Sequence, residues 1–153
     1  MSDTITVVGA IFSCGEQILA CRRAPHKAAA GKWEFPGGKV EEDETPTAAL
    51  ARELREELSV EVTVGELLIR ETTREAGGTG PEIDLACYWV TAAEDPVASA
   101  DHDAVVWVSR DELAVLDWAA PDLPAVALLR IVRGPCSKSS TSQDNTQGSL
   151  PKS

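Results

Sequence analysis

Basic residues are scarce in this chain: 14 Lys and Arg stand against 25 Asp and Glu in 153 residues, a formal net charge of −11. So acidic a surface excludes the broad basic face that neutralises long nucleic acids. Long apolar runs are missing as well. None approaches the roughly 20 residues of a membrane helix, and the N-terminus has no signal-peptide pattern. Cys14, Cys21, Cys87 and Cys136 show no CxxC spacing, so they read as reduced thiols rather than a metal knuckle. Internal repeats are absent. With 43% hydrophobic residues the chain still has enough apolar material for one globular domain. We expect a cytoplasmic protein with a single domain over residues 1–133. The polar, low-complexity stretch 134–153 is expected to be a disordered tail.

What the chain does have is concentrated between Trp33 and Val60, WEFPGGKVEEDETPTAALARELREELSV. Thr45 is a suitable N-cap and Pro46 a suitable first helical residue, so TAALARELREEL is predicted to be helical. At about 100° per residue, Leu50, Leu54 and Leu58 form one apolar stripe, with Ala51 beside it. Glu53 and Glu57 fall on the flank of that stripe and Glu56 a little further round. A solvated face would place its acids opposite the core, whereas these crowd the edge of the buried surface. Three acids at i, i+3 and i+4 repel one another by a few tenths of a kcal/mol per pair. Hard divalent cations, Mg²⁺ above all, take such oxygen ligands together with substrate phosphates. A cation between the acids and a phosphate would also reconcile so acidic a chain with a phosphorylated substrate.

The stretch resembles the signature of the Nudix hydrolase family. Gly38, Glu44, Arg52-Glu53, Leu54, Glu56-Glu57 and Val60 all stand at that signature's spacing. The one departure is Ser59, where the family has glycine. A residue closing a helix in the left-handed region favours glycine, and serine there costs on the order of 1 kcal/mol. WEFPGGKVE is similar in particular to the MutT branch, which hydrolyses nucleoside triphosphates. The resemblance spans residues 4–133 and implies an α+β fold, the Nudix α/β/α sandwich around a mixed sheet.

It also implies site residues. Glu53, Glu56, Glu57 and the carbonyl of Gly37 would hold Mg²⁺, with Mn²⁺ as a substitute, while Arg52 orients the glutamates and Glu44 supports them. Asp101, an acid before a His and a Trp-Val strand, matches the further carboxylate that binds metal or activates water. His102 is the alternative base, since imidazole titrates near neutrality. Arg23, Gly38 and Lys39 are candidate substrate contacts, although the basic loop around Arg23 also reads as merely solvated. Phe35 matches a base-pocket residue and reads equally as a core aromatic. Asp122 matches a base-reading residue and reads equally as an N-cap.

Around this box, Ile5–Phe12 and Gln17–Arg23 are expected to form a hairpin across the Cys14–Glu16 turn. Strands are expected at Glu61–Val64, Leu67–Arg74 and Glu82–Val90, with the AGGTGP turn before the last. In that last strand Ile83, Leu85, Cys87 and Trp89 would share one face, and Asp84, Ala86, Tyr88 and Val90 the other. Ser109-x-x-Glu112 has capping-box form, and a C-terminal helix follows Asp122. The activity implied is hydrolysis of a nucleoside triphosphate to the monophosphate and pyrophosphate. Oxidised purines such as 8-oxo-dGTP, hence nucleotide-pool sanitising, come first. (d)CTP or 5-methyl-dCTP come second, and a non-catalytic nucleotide-binding module is the rival. A monomer or homodimer is expected.

Overall fold

The computed structural model describes residues 4–27, 30–74, 81–96 and 102–134. In chain order come β1 (Thr4–Ile11), β2 (Ser13–Cys14), β3 (Gln17–Arg23), β4 (Trp33–Glu34), β5 (Gly37–Lys39) and α1 (Pro46–Leu58). Then follow β6 (Val62–Arg74), β7 (Glu82–Ala92), β8 (His102–Ser109), two 3₁₀ turns (Arg110–Val115 and Ala120–Asp122) and α2 (Leu123–Leu129). One sheet has the order β5-β1-β7-β6, with β1 and β7 parallel and the other pairs antiparallel. In the second, β3 pairs antiparallel with β8 along its length and with β2 and β4 at its two ends. The fold is the expected mixed-sheet α+β sandwich.

Alternation on neighbouring strands sets the layers, because successive side chains leave a strand on opposite faces. Val8 and Ala10 of β1, with Ala86 and Val90 of β7, meet Leu50, Leu54 and Leu58 of α1. Ile11, Leu85, Cys87 and Trp89 point the other way and pack with Ala125, Val126 and Leu129 of α2. The expected division of β7 therefore holds. Each fully buried leucine of α1 contributes about 1.5–3 kcal/mol. Ala49, fully buried, completes the stripe where Ala51 was expected; Ala51 is half-buried. Thr45 caps α1 by accepting from Ala48 N, and Ser59 closes it in the left-handed region at φ 55°.

Three expectations need correction. The hairpin turn forms, but its ladder is only Ser13 and Cys14 against β3, because β1 up to Ile11 pairs with β5 and β7 in the other sheet. The two strands expected before β7 are one, β6, bulged around Gly65–Glu66 so that it stays paired with β7. Ser109 starts a 3₁₀ turn, and its hydroxyl accepts from Asp111 N rather than making the three-residue reach of a capping box. Residues 75–80 of the turn region, Asp101 and residues 135–153 lie outside the described residues. Among the described residues no helix is long and apolar enough to cross a membrane.

Candidate active site

The Pro36-Gly37-Gly38 turn brings β5 against both β1 and α1. A Cβ on Gly37 would run into the Val8 carbonyl of β1, and one on Gly38 would run into the carboxylate of Glu53. Only glycine lets backbone and acid approach so closely. The Gly37 N–H donates to Glu57 Oε1 at 3.3 Å. Two acids on the flank of α1 are thus packed against the glycine turn, where the helical spacing predicts them, while Glu56 stands further out in solvent.

Arg52 ties the cluster together. Its Nε and Nη2 donate to the two oxygens of Glu44 at 2.7 and 3.0 Å, a bidentate pair. Nη1 donates to Glu53 at 3.1 Å and to Glu56 at 3.3 Å, and Nη2 also reaches the Lys39 carbonyl at 3.1 Å. The Arg52 hydrogen bonds pull the Glu44 carboxyl down to about 2. Glu53 moves the opposite way: burial raises its pKa, although Arg52 opposes the shift. A carboxylate short of water and beside two other acids is stabilised by a cation.

This donor set fits a hard divalent cation, since three carboxylates and a backbone carbonyl are all oxygen ligands. Among the described residues no three acidic, His or Cys side chains already converge as a cage. Glu53 and Glu56 turn to Arg52, and Glu57 to the Gly37 N–H.

Beside the acids opens a cleft of about 540 Å³. Arg23, Phe35, Gly37, Gly38, Lys39, Glu57 and Asp122 all line it, so seven of the residues singled out from the sequence meet in one hollow. Arg23 is partly buried and paired with Glu34, which is not how a merely solvated loop residue behaves. Phe35 is core, its ring 4.7 Å from that of Trp118, and it lines the cleft as well. A second hollow of about 450 Å³ lies against Trp89, and its polar lining is Thr63, Thr91, Glu66 and the Glu16-paired Arg133. None of the chemistry above lies there.

Two alternatives raised by the sequence fail. Asp122 makes no side-chain cap to α2; it is buried, and its Oδ1 accepts from Phe35 N at 3.2 Å. Burial pushes its pKa well above the usual aspartate value. His102 does not face the cleft. Its ring is buried, with Nε2 2.8 Å from Glu34 Oε2, and that geometry removes it as the water-activating base. Asp101 lies outside the described residues. Cys21 and Cys87 are buried free thiols pushed up in pKa by burial, as inert cysteines should be.

Sequence reasoning missed how the base side of the cleft is stitched. Trp33 N donates to Asp117 O and Ala119 N to Trp33 O, both at 2.9 Å, so residues 117–122 ride on β4. It also passed over Glu34, held between Arg23 and His102. Nothing local signals the contacts to Asp117, Ala119 and His102, which join residues 68 to 86 positions apart.

Comparison with known proteins assigns the class. The NUDIX domain profile matches residues 3–129, and the chain belongs to the Nudix family of hydrolases, enzymes that act on phosphoric anhydrides. It is 39% identical over 129 residues to the CTP pyrophosphohydrolase of Escherichia coli K12, covering 84% of this chain and 93% of that protein. It is 47% identical over 53 residues to the 8-oxo-dGTP diphosphatase of the same strain, covering 35% and 41% of the two chains. Among solved structures, that of the E. coli ORF135 protein superposes with a TM-score of 0.71 at 39% identity, covering 83% of this chain and 89% of that one. Hydrolases of this family generally use divalent metals.

Proposed function

We propose that the cleft hydrolyses a nucleoside triphosphate to the monophosphate and pyrophosphate with Mg²⁺, or Mn²⁺ in its place. The observation that carries this reading is the meeting, in one hollow, of the glycine turn with Glu57, the cations Arg23 and Lys39, and the Phe35–Asp122 pair. Glu53, Glu56, Glu57 and the Gly37 carbonyl are assigned as metal ligands, with Asp101 as a further carboxylate. The bound cation would neutralise phosphate charge and lower the pKa of the attacking water. Arg52 fixes the direction of Glu53 and Glu56, and Glu44 fixes Arg52. Arg23, Lys39 and the Gly38 backbone meet the phosphates. Phe35 offers the base a flat face, and Asp122, held by the Phe35 N–H, is assigned to read its edge. Such a protein works in the cytoplasm, as a monomer or homodimer.

For the base, 8-oxo-dGTP leads, in keeping with the local likeness to an 8-oxo-dGTP diphosphatase. One observation favours a second reading, (d)CTP or 5-methyl-dCTP: the relative named for CTP matches along nearly its whole length. A kcat/KM comparison across 8-oxo-dGTP, dGTP, dCTP and 5-methyl-dCTP separates the two. In the same assay Glu53→Gln and Glu57→Gln should each lose about three orders of magnitude in kcat, the worth of several kcal/mol of transition-state charge stabilisation. Both should stay folded. Retention of rate would sink the ligand assignment.

A further inference from the structure

Three adjacent strands hold one acid between two nitrogen bases at the rim of the cleft. Glu34 of β4 stands opposite Cys21 of β3, and Arg23, two residues on, stands opposite His102 at the start of β8. Glu34 Oε1 accepts from Arg23 Nη1 at 2.7 Å, and Oε2 lies 2.8 Å from His102 Nε2. The His102 side chain is 1% exposed, against 25% for Arg23 and 19% for Glu34. Among the described residues its buried Nδ1 has no hydrogen-bond partner. A polar ring so placed is unfavourable for stability, and an apolar side chain would fill the space without leaving a nitrogen unpaired. What the ring supplies in return is its contact with Glu34.

We infer that His102 is a positioning residue for substrate binding: by holding one oxygen of Glu34 it fixes the other, and so aims the Arg23 guanidinium into the cleft. Without that contact Glu34 loses one of its two anchors, and the carboxylate that directs the Arg23 guanidinium is less firmly placed. A guanidinium held in one direction before the substrate arrives loses less conformational freedom on binding. The contact acts through Glu34 and Arg23 and does not touch the reacting atoms. This inference rests on the triphosphate reading of the cleft.

The test is a double-mutant cycle. Wild type, His102→Ala, Arg23→Ala and the double variant are compared by kcat and KM on the preferred triphosphate. Binding of a non-hydrolysable triphosphate analogue to the metal-free protein in EDTA is measured in parallel. His102→Ala should raise KM by about tenfold while kcat moves less than about threefold, the mark of a lost ground-state contact. In the Arg23→Ala background the same change should have almost no further effect, because the residue acted through has gone. His102→Gln, whose amide NH₂ reaches where Nε2 does, should restore KM, whereas the shorter His102→Asn should not. That pair serves if His102→Ala does not fold, as thermal melts will show. The analogue affinities should follow the KM values. Penalties that multiply, a Gln variant no better than Asn, or loss of kcat at constant KM would overturn the inference. Wild-type protein inert toward every triphosphate would overturn the function proposed above, and this inference with it.

Discussion

At the scale of single residues, the site is a set of carboxyls driven in opposite directions by their surroundings. Glu44 is held ionised by Arg52, Glu53 is short of water, and Asp122 is buried with one backbone N–H as its donor. Asp122 yields a stability prediction. Its folded pKa lies above the unfolded value, so its contribution is fully present below pH 4 and is lost as pH rises through the folded pKa. Between the unfolded and the folded pKa this one group progressively lowers stability as the pH rises. Asp122→Asn keeps an oxygen for the Phe35 N–H and cannot ionise. Its melting temperature should match wild type near pH 4 and exceed it by a margin that widens as the pH rises above that. Parallel melting curves across that range would mean that Asp122 titrates normally. The sequence revealed Asp122 as a residue of interest but left two roles open. Only the structure removes the N-cap role: Asp122 is buried, makes no cap bond and accepts from Phe35, 87 positions away.

At the scale of elements, α1 was legible because its determinants are local. The Thr45 cap, the Pro46 start, the leucine stripe and the acidic flank follow from 3.6-residue periodicity alone, and the structure keeps all four. β3 and β8 were legible only as strands, and β4 was not legible at all. That they bring Arg23, Glu34 and His102 together depends on register between distant segments, which periodicity does not encode. The bulge that merges two expected strands into β6 is another such non-local feature. The end of α1 carries its own prediction. Ser59 sits at φ 55°, where its Cβ is strained, and its backbone N–H bonds to the Leu54 carbonyl. Ser59→Gly should add about 1 kcal/mol of stability, or roughly 3 °C in Tm, with kcat unchanged. A lower Tm would show that the serine is favoured there by contacts worth more than the strain.

For the whole molecule, the acidic balance and the phosphate chemistry have to be reconciled, and a divalent cation reconciles them. The layers serve that end: α1 presents Glu57 to one wall of the cleft, while Phe35, next to β4, and Asp122 of the 117–122 segment tied to β4 line another. The α+β class and the place of the acids could be read in advance. The shape of the cleft could not, because it arises where β1, β4, β5 and the segment before α2 meet. The most direct measurement is ³¹P NMR of the products formed from 8-oxo-dGTP or dCTP by wild-type protein, first in EDTA and then with Mg²⁺ restored. We expect no turnover in EDTA and, with Mg²⁺, only nucleoside monophosphate and pyrophosphate. Nucleoside diphosphate with orthophosphate, or turnover that persists in EDTA, would contradict this account.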